Sequence, residues 1–301
     1  MKSTRCPQSG SHHRYSPDGA SVGPGLTLLG MTSQDFPGGP TFSLQGKVAL
    51  VTGASRGIGA ATARLLAAHG ASVGVNYMSS EARAREVVSA IEAAGGRAVA
   101  VRGSVGEPGE VERMALQVEE ELGPIDILVC NADAVKTFTV KPFVELSWEE
   151  YEDLLTGETK AVFYPVKAVV GGMIERGAGT IINVSSGLSR RPQEGMAGHS
   201  SGKAAVDALT RTLANELGRH GIRVNAVAPG LVQTEASAFV WSEDQAQAGV
   251  PNQVARMRQL TPLRRVATPE DVAGAILMLA SDAASFVTGM YLDVNGGLTM
   301  R

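Results

Sequence analysis

Three side chains within the stretch from Thr180 to Lys203 could do chemistry together. Ser186 closely follows an apolar run, Ile181-Ile182-Asn183-Val184, that reads as a buried strand. Past a polar loop containing Gly and Pro, a helix is predicted that carries His199 and Lys203. Four residues apart, those two share one helix face. A hydroxyl, an imidazole and an ammonium meeting at a strand end and a helix make a candidate active site. Taken alone, the set also fits a nucleophilic triad in which an imidazole activates a serine.

A second signal lies far upstream. Gly53-Ala54-Ser55-Arg56-Gly57-Ile58-Gly59 stands between a short apolar run, Lys47 to Thr52, and a helix predicted to about His69. Glycines there permit a tight turn and close approach of backbone to a pyrophosphate. The helix N-terminus adds free N–H groups and the positive end of a dipole. Such a turn can also be plain strand-to-helix geometry. Its place on the first strand of an alternating chain favours dinucleotide binding.

These residues need a scaffold that gathers several loop ends. Further strands are predicted at Ala71 to Tyr77, Arg97 to Val101, Ile125 to Cys130, Thr180 to Val184, Ile222 to Val227 and Gly289 to Val294. Between them run helices: Ser79 to Ala94, stopped by Gly95-Gly96; Glu107 to Leu122; Ser147, as N-cap, to about Arg176; and Gly198 to Arg219. Thr268-Pro269-Glu270 opens the last, to about Ser281. The alternation predicts one α/β domain over residues 43–301, a Rossmann-type doubly wound sheet of seven parallel strands. Ligand belongs at the carboxyl ends of the strands, where the strand order reverses. Gly53 to Gly59, Asn131, Ser185-Ser186 and Pro229-Gly230 all follow strands.

Composition narrows the classes. Of 301 residues, 44% are hydrophobic, enough for one large core, and the net charge of −3 leaves no basic footprint for nucleic acid. Two cysteines, Cys6 and Cys130, give neither a disulfide framework nor metal spacing, so a cytoplasmic setting is expected and no metal. No run approaches the roughly 18 apolar residues of a membrane span. Residues 1–42, rich in Ser, Gly, Pro and His without a period, read as a disordered tail. There His12 and His13 stand as metal ligands or, better, as solvated tail residues. Residues 231–260 read as a loop with short helices.

Taken together, the motifs resemble those of the short-chain dehydrogenase/reductase family. They are TGASRGIG, CNA after the fourth strand, NVSS after the fifth, the later Lys203, VNAVAPG and VTGMYLDVNGG. The resemblance covers about residues 44–298. It implies an NAD(P)-dependent oxidoreductase in which Gly53, Ser55, Arg56, Gly57, Ile58, Gly59, Asn131, Ala132, Lys203, Pro229 and Gly230 face the cofactor. In that family an acid ending the second strand selects NAD. Here Asn76-Tyr77 stand there, no carboxylate follows until Glu81, and Arg56 sits in the turn, so NADP is expected over NAD. Ser104-Val105 replace the Asp-Val that contacts adenine. The helices 147–176 and 198–219 match the family's oligomer interface, implying a homotetramer or homodimer. Residues 231–260 match its substrate lid, with Phe239, Val240 and Trp241 as pocket-lining or core-packing residues.

The catalytic side departs from the family's Asn, Ser, Tyr and Lys. Ser186 and Lys203 match, and Ser186 then becomes an oxygen-binding hydroxyl. His199 occupies the Tyr position, Glu158 the Asn position, and Asp133 the place of a cofactor-facing Gly. No Tyr lies between Tyr164 and Tyr291 to restore the pattern. An imidazole titrates near pH ~6.5 and needs no neighbouring ammonium to act as acid or base. Glu158 either joins it in catalysis or pairs with Lys203; Asp133 either repels anions or adds a second carboxylate. The expected activity is ketoreductase-like, on a small or polyketide-like carbonyl/alcohol pair. A non-redox cyclase, dehydratase or isomerase using His199 and a carboxylate, and a catalytically silent partner subunit, stand as alternatives.

Overall fold

The structure is a computed structural model and describes residues 41–235, 237 and 253–299. Nearly all of the expected tail, and Phe239, Val240 and Trp241, lie outside the described residues.

Apolar alternation sets the sheet. In β1 (Val48–Val51), Val48 and Leu50 face one side while Ala49 and Val51 face the other. The strands β2 (Ser72–Tyr77), β3 (Arg97–Arg102), β4 (Ile127–Cys130), β5 (Gly179–Val184), β6 (Ile222–Pro229) and β7 (Tyr291–Val294) complete it. All seven are parallel, in the order β3-β2-β1-β4-β5-β6-β7. The order reverses between β1 and β4, so the ends of these two strands open the crevice that a doubly wound sheet offers to ligands.

Helices cover both faces, as buried parallel strands require. One face packs α1 (Gly57–Ala68) and α2 (Glu81–Ala93) against the sheet through Leu66, Val87 and Ile91. The other packs α3 (Pro108–Leu122), α4 (Trp148–Arg176) and α5 (Ala197–Leu217) through Met114, Val166 and Val206. After α6 (Gln253–Leu260), α7 (Pro269–Ala280) returns to the first face through Ile276.

Most boundaries fall within two residues of the sequence expectation. Ser147 caps α4 as predicted, in a full capping box: its hydroxyl accepts from Glu150 N–H while Glu150 accepts from Ser147 N–H. Pro165 lies inside α4, which nonetheless runs unbroken through it. Pro165 and its neighbours Val162, Val166 and Val169 are buried, so packing outweighs the missing backbone bond. β6 extends to Pro229 rather than ending at Val227, because Pro229 still pairs with Val294 of β7. The segment 231–260 is not wholly loop: α6 occupies its end. No helix among the described residues is long and apolar enough to cross a membrane.

Candidate active site

The glycine turn is held in place by buried amides. Asn76, at the end of β2, is buried; its Oδ1 accepts from Gly53 N–H at 3.0 Å and its Nδ2 donates to Gly103 O at 2.9 Å. Asn131 Nδ2 donates to Thr52 O and Gly53 O, at 2.9 and 3.2 Å. Thr52 Oγ1 accepts from the N–H groups of Asn131 and Ala132. These polar side chains therefore shape the turn from behind. Asn76 and Tyr77, expected beside the cofactor ribose, are both buried, and the Asn76 amide bonds Gly53 and Gly103.

The turn is built for close approach. Gly53 and Gly57 have φ of +62° and +55°, which side chains resist. A Cβ on Gly59 would lie 2.4 Å from Gly53 O and 2.7 Å from Asn131 Nδ2. Arg56, the exposed N-cap of α1, makes no side-chain cap hydrogen bond, and the first turn of the helix has no acidic residue. The leading N–H groups of α1 are thus left for an outside acceptor. Thr234, which the sequence reading did not single out, stands 3.5 Å from where a Cβ of Gly57 would be. Its signal was its position four residues past Gly230. These features fit a dinucleotide phosphate.

At the neighbouring edge of this crevice, Ser104 and Val105 follow β3. The Ser104 N–H donates to Glu110 Oε2 and its hydroxyl accepts from Gly106 N–H, while Val105 is buried. Gly230 N–H donates to Val294 O, and a Cβ there would crowd Asn295 at 3.0 Å. Ser55 and Ile58 are half-buried in the turn itself.

The chemical centre is a buried carboxylate between two basic groups. Glu158 comes from α4; His199 and Lys203 come from one face of α5. The helices pass closely there because Gly202 carries no side chain, and a Cβ would meet Glu158 carbons at 2.8 Å. Glu158 Oε1 lies 2.8 Å from His199 Nδ1, and Oε2 lies 2.7 Å from Lys203 Nζ. Lys203 pairs with Glu158 as an ion and donates a hydrogen bond to Val184 O at 2.9 Å. The Glu158 side chain is 3% exposed, against 14% and 12% for His199 and Lys203.

Burial alone would raise the Glu158 pKa, but Lys203 and His199 overcome it and bring it down to about 2. An ionised carboxylate only accepts, so Nδ1 of His199 carries the proton it shares with Glu158. Nε2 is then the ring nitrogen left for other partners. Phe138 meets the imidazole edge-on, with ring centroids 5.3 Å apart.

Asp133 sits at the exposed lip of the cleft. Surrounding protein and the Glu158 charge push its carboxyl upward, against Lys203, the Val135 N–H and His199. Asp133 makes no ion pair with the basic groups here. Cys130, below it, is buried, and its thiol is pushed up to about 12 by that burial, so it is inert at neutral pH.

Ser186 lies two residues past the end of β5 and caps a short turn, with its hydroxyl accepting from Leu188 N–H at 3.2 Å. Beneath it lies a residue absent from the sequence reading, Asp207. This buried aspartate accepts from Ser185 Oγ at 2.5 Å and Ser189 Oγ at 2.6 Å. The signal was available: Asp207 follows Lys203 by four residues and His199 by eight, on the same helix face. The loop arginines are occupied as well. Arg190 stacks on the Tyr291 ring, 3.4 Å from its centroid, and Arg191 Nη1 donates to Leu298 O. Among the described residues, no group of three His, Cys, Asp or Glu could hold a metal ion.

Comparison with known proteins agrees with this fold. Residues 53–299 match the family described as Enoyl-(Acyl carrier protein) reductase. The chain is 40% identical over 260 residues to a 3-oxoacyl-[acyl-carrier-protein] reductase of Synechocystis sp., covering 86% of this chain and 99% of that one. It also resembles the crystal structure of a 7α-hydroxysteroid dehydrogenase complexed with NADH and 7-oxo glycochenodeoxycholic acid. There identity is 34%, coverage 85% and 95%, and the TM-score 0.77. A gluconate 5-dehydrogenase from Burkholderia cenocepacia, in complex with NADP and tartrate, is 32% identical with coverage of 85% and 96% and a TM-score of 0.77.

Proposed function

We propose that this chain, which belongs to the short-chain dehydrogenase/reductase family and is an NAD(P)-dependent oxidoreductase, interconverts a ketone and an alcohol with NADP through a Ser186-His199-Lys203 site. The carrying observation is the Glu158 carboxylate bridging His199 Nδ1 and Lys203 Nζ. When bound, NADP supplies or accepts the hydride. Ser186 Oγ donates to the substrate oxygen. His199 Nε2 gives that oxygen its proton in reduction and takes it in oxidation. Glu158 fixes the tautomer and opposes the charge that the ring gains when Nε2 is protonated. Lys203, steadied by Glu158 and Val184 O, has a further N–H for the cofactor ribose. Phe138 gives the substrate an apolar wall, which suits a small or polyketide-like ketone.

The preference for NADP rests on charge at the end of β2. Neither Asn76 nor Tyr77 offers a carboxylate. Two nearby acids are engaged, Glu81 by Arg85 and Glu235 by Arg83. Arg56 is exposed, and it lines one cleft with Arg64 and Arg83, alongside Glu86, Glu235 and Glu270. A guanidinium suits a 2′-phosphate. Assembly as a homodimer or homotetramer through α4 and α5 is supported by Phe163, which α4 leaves half exposed.

The test follows absorbance of NADPH or NADH with purified chain and three probes: a β-keto thioester, a keto-steroid and a keto-acid. Reduction with NADPH is expected for at least one probe, and His199→Ala should lower kcat by about 100-fold or more. Parent-like turnover by that variant overturns the proton-transfer role. Arg56→Ala should weaken NADPH binding about tenfold and leave NADH binding nearly unchanged, as expected from loss of one charge-assisted contact. Equal loss for both cofactors overturns the NADP assignment.

A further inference from the structure

We propose that Asp207 and Tyr291 are positioning residues for Ser186, acting as a clamp beneath the turn that aims its hydroxyl; the inference rests on the oxidoreductase reading above. Ser186 stands on a short turn after β5, which is closed by its own local hydrogen bonds but joins no strand of the sheet. What ties it to the rest of the fold comes from two distant elements. From α5, the Asp207 carboxylate accepts from Ser185 Oγ on one oxygen and Ser189 Oγ on the other, so it spans the turn on both sides of Ser186. From β7, the Tyr291 hydroxyl donates to the Ser186 carbonyl at 3.0 Å and lies 3.2 Å from Ser189 Oγ. Arg190 closes the assembly, with its guanidinium on the Tyr291 ring and its Nε 4.0 Å from Asp207.

The arrangement is specific to Ser186 in two ways. The Ser186 main chain is bonded while its Oγ accepts only the local Leu188 N–H, so the hydroxyl keeps its own proton to donate. And Asp207 extends the helix face that bears His199 and Lys203. One rigid helix therefore registers the imidazole, the ammonium and the serine turn against one another. Burial raises the Tyr291 pKa, keeping the phenol a neutral donor at working pH. Asp207 is likewise pushed up by burial, against the two serine hydroxyls and Arg190.

The experiment uses Tyr291→Phe and Asp207→Asn in the full chain, each also combined with Ser186→Ala. Tyr291→Phe keeps the ring under Arg190, so it tests the clamp even where Asp207→Asn does not fold. Two readouts are taken. Amide hydrogen exchange reports the Leu188, Ser189, Arg190 and Arg191 N–H groups, all bonded within the turn. NADPH-dependent reduction of the fastest of the three carbonyl probes reports kcat, with NADPH Kd measured by fluorescence. Exchange in the turn should accelerate by about tenfold or more. The kcat should fall by roughly 10- to 100-fold, the scale of a small misplacement, with NADPH Kd within about twofold. In the Ser186→Ala background the same changes should alter kcat less than about twofold, because residues acting through one group are not additive. Unchanged exchange in the turn overturns the clamp. Losses that multiply in full on Ser186→Ala overturn its action through Ser186. A parent chain that binds NADPH but reduces no probe overturns the oxidoreductase reading instead, and the exchange arm still decides the clamp.

Discussion

Replacing Glu158 by Gln removes one negative charge from between two basic groups and changes little in volume. The native carboxyl is held at about 2, against an ordinary 4.5, with its side chain 3% exposed. That difference corresponds to about 3 kcal/mol favouring the ionised, folded form, at ~1.4 kcal/mol per pH unit. Because the folded pKa lies below the unfolded one, this stability is present above about pH 4.5 and is lost as pH falls toward about 2. A Gln carries no charge and a single acceptor oxygen where the carboxylate offered two, and breaking a buried pair costs about 3–5 kcal/mol. Urea unfolding at pH 7 should therefore show Glu158→Gln about 3 kcal/mol less stable. For a domain of this size, that is roughly 6–12 °C in Tm. The gap should close as pH approaches about 2. Asp207, raised by burial, contributes the opposite slope in both proteins and cancels in the difference. A variant within about 0.5 kcal/mol of the parent at pH 7, a difference ordinary for surface sites, would refute the reasoning. So would a gap that stays constant with pH.

Two further changes probe the glycine turn. Gly59→Ala places a Cβ 2.4 Å from Gly53 O, so backbone must move; NADPH binding should weaken by about tenfold or more and stability should fall by about 1–3 kcal/mol. Fluorescence titration and urea unfolding measure the two effects. Asn76→Ala strands the Gly53 N–H and the Gly103 carbonyl, so unfolding free energy should drop by about 2–4 kcal/mol. Parent-like stability there would mean that the turn holds its shape without the β2 amide.

The sheet was legible because its signals are local. Apolar runs such as Val48–Val51 and Ile127–Cys130 can only be buried strands between helices, and the glycine spacing marks the one turn that must approach a ligand. Ser186, His199 and Lys203 could be chosen from type and spacing, and α5 does set His199 and Lys203 on one face. What could not be read was direction and partnership. Asn76 and Asn131 read as cofactor contacts, but their type and position do not show that their amides also bond back to the chain, because Gly53 and its neighbours need partners that only a folded sheet supplies. Asp207 and Tyr291 lie 84 positions apart in numbering but meet at one turn through Ser189. No periodicity within a single element reports that.

The carboxylate and the imidazole have to be understood as one unit. A carboxylate as buried as Glu158 needs compensating partners, and Lys203 alone would neutralise its charge while leaving Oε1 without a donor. His199 Nδ1 supplies that donor. Conversely, an imidazole between a serine turn and a lysine would be free to choose either tautomer; the ionised Glu158 removes the choice and leaves Nε2 open to other partners. The resemblance sets an amide and a phenol at these two positions, and a phenol has no second proton to give an acid behind it. A Glu at 158 therefore makes physical sense with a His at 199, and a His at 199 gains a defined proton only with an acceptor at 158. The departures from the family pattern at the two positions are therefore coupled: each residue satisfies the hydrogen-bonding need that the other creates.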